Sequence, residues 1–192
     1  MARAQFERSE VLDRSIELFW ENGFSGSSMK QVANVTGLKP GSIYLAFENK
    51  EGLYREALQR YAEKSLHRIA KTLDDAPNVL IGICKLFDNL IEDARKVGYC
   101  SCFLIKTQLE ITGEMSQLHA FASQKLADVE QLIKERLLRE YSEEVSQERA
   151  VSVVLHIYGV RVYGYRQGSV ESIRQGVCAG LPWLPWSEVN SL

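Results

Sequence analysis

The stretch SMKQVANVTGLKPGSIYLAF, residues 28–47, decides how the whole chain is read. Ser27 or Ser28 is a natural N-cap for a short helix, whose apolar stripe is Met29, Val32 and Ala33, with Val35 as its last buried contact. Thr36-Gly37-Leu38 makes a tight turn. Lys39-Pro40-Gly41-Ser42 opens a second short helix, because proline is tolerated in a first turn. Ile43 and Phe47 lie four apart and so share one face. Two short helices about a glycine-centred turn form a helix-turn-helix unit. Ala33 is small enough for a close crossing, and Ile43 and Phe47 anchor the second helix to a core. The outward set is then Lys39, Ser42, Leu45 and Ala46, with Tyr44 on the flank. In such a unit the second helix lies in the major groove of duplex DNA.

The chain on either side reads as helix throughout. Before the unit, Val11, Leu12, Ile16 and Phe19 recur at helical spacing from about Arg8 to Glu21, and Asn22-Gly23 stops them. After it, a long helix is expected from Lys50 or Glu51 to about Lys71. Further amphipathic stretches run from Asn78 to Arg95, Cys102 to Ile111, Met115 to Tyr141, Ser146 or Gln147 to Arg166, and Val170 to Ala179. The tail GLPWLPWSEVNSL is expected to be irregular and packed on the body. The reading is an all-α protein of eight or nine helices. It has a helix-turn-helix head at residues 1–50, and a helical effector-binding and dimerisation domain at residues 51–192.

Composition narrows the function. With 192 residues, the chain is too short for a dinucleotide-binding fold plus a separate substrate domain. Its net charge of -2 excludes a protein that coats nucleic acid wholesale. The charge is uneven, however. Lys30, Lys39 and Lys50 against Glu48 leave residues 22–50 at +2, and the acidic first helix cancels them. Three lysines supply a modest phosphate attraction, so specific binding calls for more than one copy of the head. The long apolar stripes at about 115–141 and 146–166 offer a four-helix homodimer interface. No apolar run reaches the length of a membrane span. The start MARAQFERSEVLDRS lacks the apolar region of a secretory signal, so no membrane partner and a cytoplasmic protein are expected.

The ordered residues Phe19, Gly23-Phe24, Ser28, Val32-Ala33, Gly37-Leu38-Lys39, Gly41-Ser42-Ile43-Tyr44-Leu45-Ala46-Phe47 and Lys50-Glu51-Gly52-Leu53 resemble the N-terminal signature of the TetR/AcrR transcriptional repressors. The resemblance covers about 45 residues and implies a dimeric repressor released from a near-palindromic operator by a small molecule. It implies that Ser28 caps the second helix and meets a phosphate, where helix N-termini suit anions. Lys39, Pro40 and Ser42 would begin the recognition helix, Tyr44 would bind phosphate, and Lys50 would touch the DNA backbone. Lys30 adds charge beside them. Leu45 and Ala46 stand where many members carry polar aromatic residues, and Leu45 could meet a thymine methyl.

The resemblance also implies an effector pocket in the C-terminal part, flanked by the segment Tyr99 to Glu110. Phe87, Tyr99, Cys102, Phe103, Gln108, His156 and Tyr158 are candidates for lining it, although a packed core needs the same residue types. Cys100 and Cys102 read most simply as small buried hydrophobes; a thiol switch remains an alternative, and a zinc site lacks a second ligand pair. No nucleophile elbow, phosphate loop or zinc-protease motif is present, so neither an enzyme nor a cofactor is expected. The competing readings are a helical adaptor whose head no longer binds DNA, and a repressor that senses oxidants or electrophiles through cysteine.

Overall fold

The structure is a computed structural model that describes residues 7–96, 98–111 and 117–189. Every regular element among them is a helix: α1 Arg8–Asn22, α2 Met29–Thr36, α3 Pro40–Phe47, α4 Lys50–Asp74, α5 Val79–Arg95, α6 Phe103–Glu110, α7 Gln117–Leu137, α8 Glu143–Tyr163, α9 Val170–Gly180 and α10 Trp186–Val189. The all-α architecture expected from periodicity is present, with the helix-turn-helix followed by the long α4 and then a helical bundle. Contacts divide the chain into two compact units, Met1–Lys64 with Phe103–Lys125, and Ser65–Cys102 with Leu126–Leu192. The helices α4 and α7 contribute residues to both.

In the first unit α1 packs on α2 and α2 on α3. Phe19, Val32, Ile43, Leu53, Tyr54 and Phe103 are essentially removed from solvent. Burying each such side chain contributes roughly 1.5–3 kcal/mol before entropy is charged against it. An edge-to-face chain of rings runs through this core, from Phe19 to Tyr54 at 4.8 Å, Tyr54 to Phe103 at 5.1 Å and Phe103 to Tyr61 at 5.7 Å. The Tyr54 hydroxyl donates to Thr107 at 2.9 Å, and Thr107 donates to the Phe103 carbonyl. Burial pushes the Tyr54 pKa up, so the phenol stays neutral.

In the second unit α5 packs on α8, α9 and α10. Its core holds Ile83, Phe87, Ile91, Ile133, Leu137 and Leu181, all essentially buried. The bounds of α7 and α8 differ most from the sequence reading, and α8 ends at Tyr163 rather than Arg166. The α7 stripe stops at Leu137 rather than Tyr141, and its first expected residues, Met115 and Ser116, lie outside the described residues. The next helix starts at Glu143, capped by Ser142, whose hydroxyl accepts from Val145 N at 3.4 Å. Ser146, read as a possible start, is fully buried inside that helix. The tail is less irregular than its prolines suggest: Trp186 opens α10 and donates its indole N–H to the Leu181 carbonyl at 2.9 Å.

A charged contact ties α1 to α4 in the first unit. Asp13 accepts two bonds from Arg60, each 2.7 Å, and one from Lys64 at 2.6 Å. The Arg60 guanidinium, with Lys64 beside it, holds the Asp13 carboxyl down at about 2 against the opposing effect of burial. Because the folded pKa is depressed, the contribution to stability is complete above the ordinary carboxylate pKa and is lost as pH falls through the folded value. The side chain is 39% exposed, so the network is worth about 1 kcal/mol after solvent screening. Thermal melting of Asp13→Asn is expected to show that loss at pH 7 and a shrinking difference from wild type between about pH 4 and pH 2. A constant difference across that range would show that the charge is not what matters.

Candidate nucleic-acid interface

The head is assembled by satisfying helix ends. Ser28 caps α2 in a full capping box: its hydroxyl accepts from Gln31 N at 3.2 Å, and the Gln31 side chain accepts from Ser28 N at 2.8 Å. The Ser-x-x-Gln spacing was legible in the sequence and selects Ser28 over Ser27. The Ser28 hydroxyl also donates to Gln31 at 2.8 Å. Gly37 ends α2 at φ 73°, a left-handed position that suits glycine, and returns its N–H to the Ala33 carbonyl. Pro40 is the first residue of α3.

This turn gives α3 two faces. Ile43 is 0% exposed and Phe47 3%, whereas Tyr44 is 47% and Leu45 92% exposed. Ser28, Lys30, Lys39, Pro40 and Ser42 are exposed as well. Lys30, Lys39 and Pro40 border one shallow groove together with Asn34 and Gly37. Lys50 is half-buried, with its ammonium 4.3 Å over the Phe24 ring. The eight residues expected to meet DNA therefore lie on or beside α2 and α3, on surface rather than in the core. Val35, expected to be buried, is 38% exposed; its carbonyl accepts from Arg14 at 3.2 Å.

Two arginines of α1, Arg8 and Arg14, hold the head together. Arg14 reaches the end of α2 as just described. Arg8 donates to the Ala46 carbonyl at the end of α3 at 3.1 Å, pairs with Glu56 at 2.5 Å and lies 4.3 Å over the Phe47 ring. Nothing in the local pattern reveals this role, because the carbonyls they reach are 21 or more residues away. Among the described ion pairs both arginines are engaged, Arg14 with Glu10 and Arg8 with Glu56, whereas Lys30 and Lys39 are in none.

The link from α3 to α4 is strained. Glu48 sits at φ 66° and ψ -56°, and Asn49 N donates to the Phe47 carbonyl at 2.7 Å across it. This is a γ-turn of the positive-φ kind, which is uncommon for a residue with a Cβ. Asn49 then caps α4, accepting from Gly52 N at 2.8 Å.

The residues expected to line an effector pocket are divided. Phe103 and Gln108 belong to the first unit, Phe103 within the ring chain and Gln108 donating to Ser123 at 2.8 Å. The other five belong to the second unit. Phe87 is fully buried in its core. Tyr99 donates to the Arg161 carbonyl at 3.2 Å, and Cys102 is half-buried. Burial pushes the half-buried Tyr158 up to about 12, with Cys102 among its electrostatic neighbours. His156 lines a groove of about 370 Å³ between α8 and α9, with Nδ1 2.8 Å from the Ser152 carbonyl. Burial also raises Cys84 to about 12 and raises Cys178, so both are neutral thiols at pH 7. Among the described residues no group of three His, Cys, Asp or Glu could hold a metal ion, and no helix is long and apolar enough to cross a membrane.

Residues 11–57 match the family model for bacterial regulatory proteins of the tetR family. The chain is similar to the HTH-type transcriptional repressor ComR of Escherichia coli K12, with 39% identity over 59 residues, which is 31% of this chain and 28% of ComR. It is similar to the fatty acid metabolism regulator protein of Bacillus subtilis 168, with 25% identity over 57% of this chain and 58% of that one. These curated relatives are thus matched over less than two thirds of their length. The fold is similar to that of a cysteine mutant of the TetR family transcriptional regulator CifR complexed with 26bp double-strand operator DNA. There the TM-score is 0.83 at 23% identity, covering 96% of this chain and 100% of that one. The head and the fold together are those of a helix-turn-helix followed by a helical bundle. Residues 11–57 thus resemble the tetR-family regulatory proteins, and the chain has the fold of the TetR family regulator CifR.

The γ-turn is open to a direct test. Replacing Glu48 by Gly removes the Cβ that opposes positive φ, and is expected to raise stability by about 0.5–1 kcal/mol despite the added freedom of glycine in the unfolded chain. Thermal denaturation reads this out. An unchanged or lower melting temperature would mean that the turn stores no strain.

Proposed function

We propose that the chain is a dimeric, sequence-specific DNA-binding repressor whose grip on its operator is released by a small molecule. The observation that carries the reading is the divided face of α3, with Ile43 and Phe47 locked in the core and Tyr44 and Leu45 turned outward. A helix held on one side and bare on the other can enter a major groove without reorganising. On this reading Lys30, Lys39, Lys50, Ser28 and Tyr44 bind phosphates. Pro40, Ser42 and Leu45 face base edges. Residues 1–50 form the reading domain and residues 51–192 the effector-binding and dimerisation domain.

Salt titration of duplex binding tests the first part. Log affinity is expected to fall with log salt concentration, as counterions are released from neutralised phosphates. Tyr44→Ala should weaken binding across sequences, whereas Leu45→Ala should change sequence preference with little effect on the slope. A slope near zero, or full affinity in Tyr44→Ala, would overturn the placement of the recognition helix.

The dimer reading rests on α8. The sequence offered the stripes of α7 and α8 as joint interface. In the structure Leu118, Ala122, Leu126, Ile133 and Leu137 of α7 are buried within one chain. Val151, Leu155 and Val162 of α8, at 36%, 63% and 50% exposure, are left outward beside the α8–α9 groove. We therefore assign the interface to α8 and the neighbouring α9, where Gly159 and Gly176 allow close approach. Leu155→Glu should place a charge in that face. Sedimentation is expected to show monomers, and operator affinity should fall with the loss of the second head. A variant that stays dimeric would move the interface elsewhere.

For the effector, the half-buried Tyr99, Cys102 and Tyr158 of the second unit are the favoured contacts. Phe87 serves that unit's core, and His156 belongs to the proposed interface groove. Release follows from a ligand that prefers the state in which the heads no longer fit the operator.

A further inference from the structure

We propose that Lys106 and Glu110 of α6 are positioning residues: they latch the main chain of the α1–α2 turn and so set the angle at which α2 and α3 are presented. The inference rests on the DNA-reading function proposed above and adds to it a mechanical part that no recognition motif contains.

The two side chains stand one helical turn apart, on the same face of α6. Lys106 donates to the Trp20 carbonyl and lies 3.5 Å from the Glu21 carbonyl. Those carbonyls belong to the last turn of α1, where helical acceptors lack partners and negative potential gathers. That turn has no basic residue of its own. Glu110 takes the next two main-chain donors: its carboxylate accepts from Phe24 N at 2.8 Å and Ser25 N at 2.7 Å, one to each oxygen. A cation on the outgoing carbonyls and an anion on the following N–H groups hold the turn from both signs. Such charge-assisted bonds are about twice as strong as neutral ones.

The turn is built to admit this grip. A Cβ on Gly23 would stand 2.5 Å from a Glu110 oxygen, and Gly23 has φ 76°. The backbone angle therefore requires glycine there, and a Cβ would push the Glu110 carboxylate off the turn. Beyond the latch the chain has little slack before α2. Ser27 donates to the Gly23 carbonyl at 2.7 Å, and the Ser28 capping box follows at once. The Phe24 ring is pinned between Tyr54, at 5.1 Å, and the Lys50 ammonium. A shift of α6 is therefore passed to the start of α2 through main-chain bonds rather than through a compliant side-chain contact.

The sign of the charge makes the test sharp. Neutralising an acidic group near a DNA-binding head should tighten binding if the group acts only through the electrostatic field. The latch predicts the reverse. An operator is first selected from random duplexes with the wild-type full chain, and a one-half-site version of it is prepared. In Glu110→Gln, operator affinity is expected to fall about tenfold, the scale of a typical coupling between sites. Half-site affinity should be unchanged or higher. Glu110→Asp keeps the charge but is one methylene too short to reach both amides, and should lose operator affinity likewise.

Amide hydrogen exchange on the protein alone reads the latch directly. Phe24 and Ser25 should exchange about tenfold faster in both variants while the cores of both units stay protected, which also shows that the variants fold. Unchanged exchange at those two amides would overturn the latch. So would operator affinity in Glu110→Gln equal to or above wild type. A wild-type chain that selects no DNA would overturn the functional reading itself, a result separable from failure of the latch because the exchange measurement needs no DNA.

Discussion

The edge-to-face contact of Tyr54 with Phe19 and Phe103 is the constraint on which the first unit depends. One ring of α4 meets one ring from α1 and one from α6, and Phe24 of the following turn closes on it at 5.1 Å. Aromatic pairs of this geometry add about 0.5–1.5 kcal/mol each beyond their burial. Their larger effect is directional, since a T-shaped contact fixes an angle between helices where aliphatic packing tolerates several. With α1 and α4 set in this way, Ile43 and Phe47 have a defined surface to fill, and the outer face of α3 follows from their position.

Main-chain polar groups then decide the details. Each short helix of the head ends in a group that another element must satisfy. Arg14 does this for α2, and Arg8 for α3. Lys106 does it for α1. The Ala46 and Val35 carbonyls are solvent-exposed and could bond water instead, so the arginines fix where the helices end more than they add stability. The strain at Glu48 is tolerated for a separate reason. The turn there is unfavourable locally, but the burial of Phe47 on one side and the Asn49 cap on the other leave the chain no easier path.

Much of this was legible in the residues. The periodicity of α1, the Gly37 turn, Pro40 at the head of α3 and the Ile43–Phe47 spacing all act within a few residues, and pattern reasoning sees such effects well. The reading was weaker where a residue's role depends on a distant partner. Ser146 resembles a cap in isolation, yet the better cap, Ser142, is followed by two glutamates that suit a helix N-terminus. The stripes of α7 and α8 look alike as sequence. Only packing shows that the first is consumed inside one chain while the second keeps Leu155 and Val162 outside.

The sequence by itself determined that the protein is all-α, that residues 28–47 form a helix-turn-helix, and which side chains of its second helix turn outward. Those properties follow from short-range backbone preference and the 3.6-residue period, and both are written locally. The tertiary structure alone decided the latch of Lys106 and Glu110 on the α1–α2 turn, the two arginines that close the head, and the division of the candidate effector residues between two units. Each of those joins positions tens of residues apart through main-chain carbonyls and amides. Every residue type carries such groups, so no sequence pattern distinguishes the ones that are used.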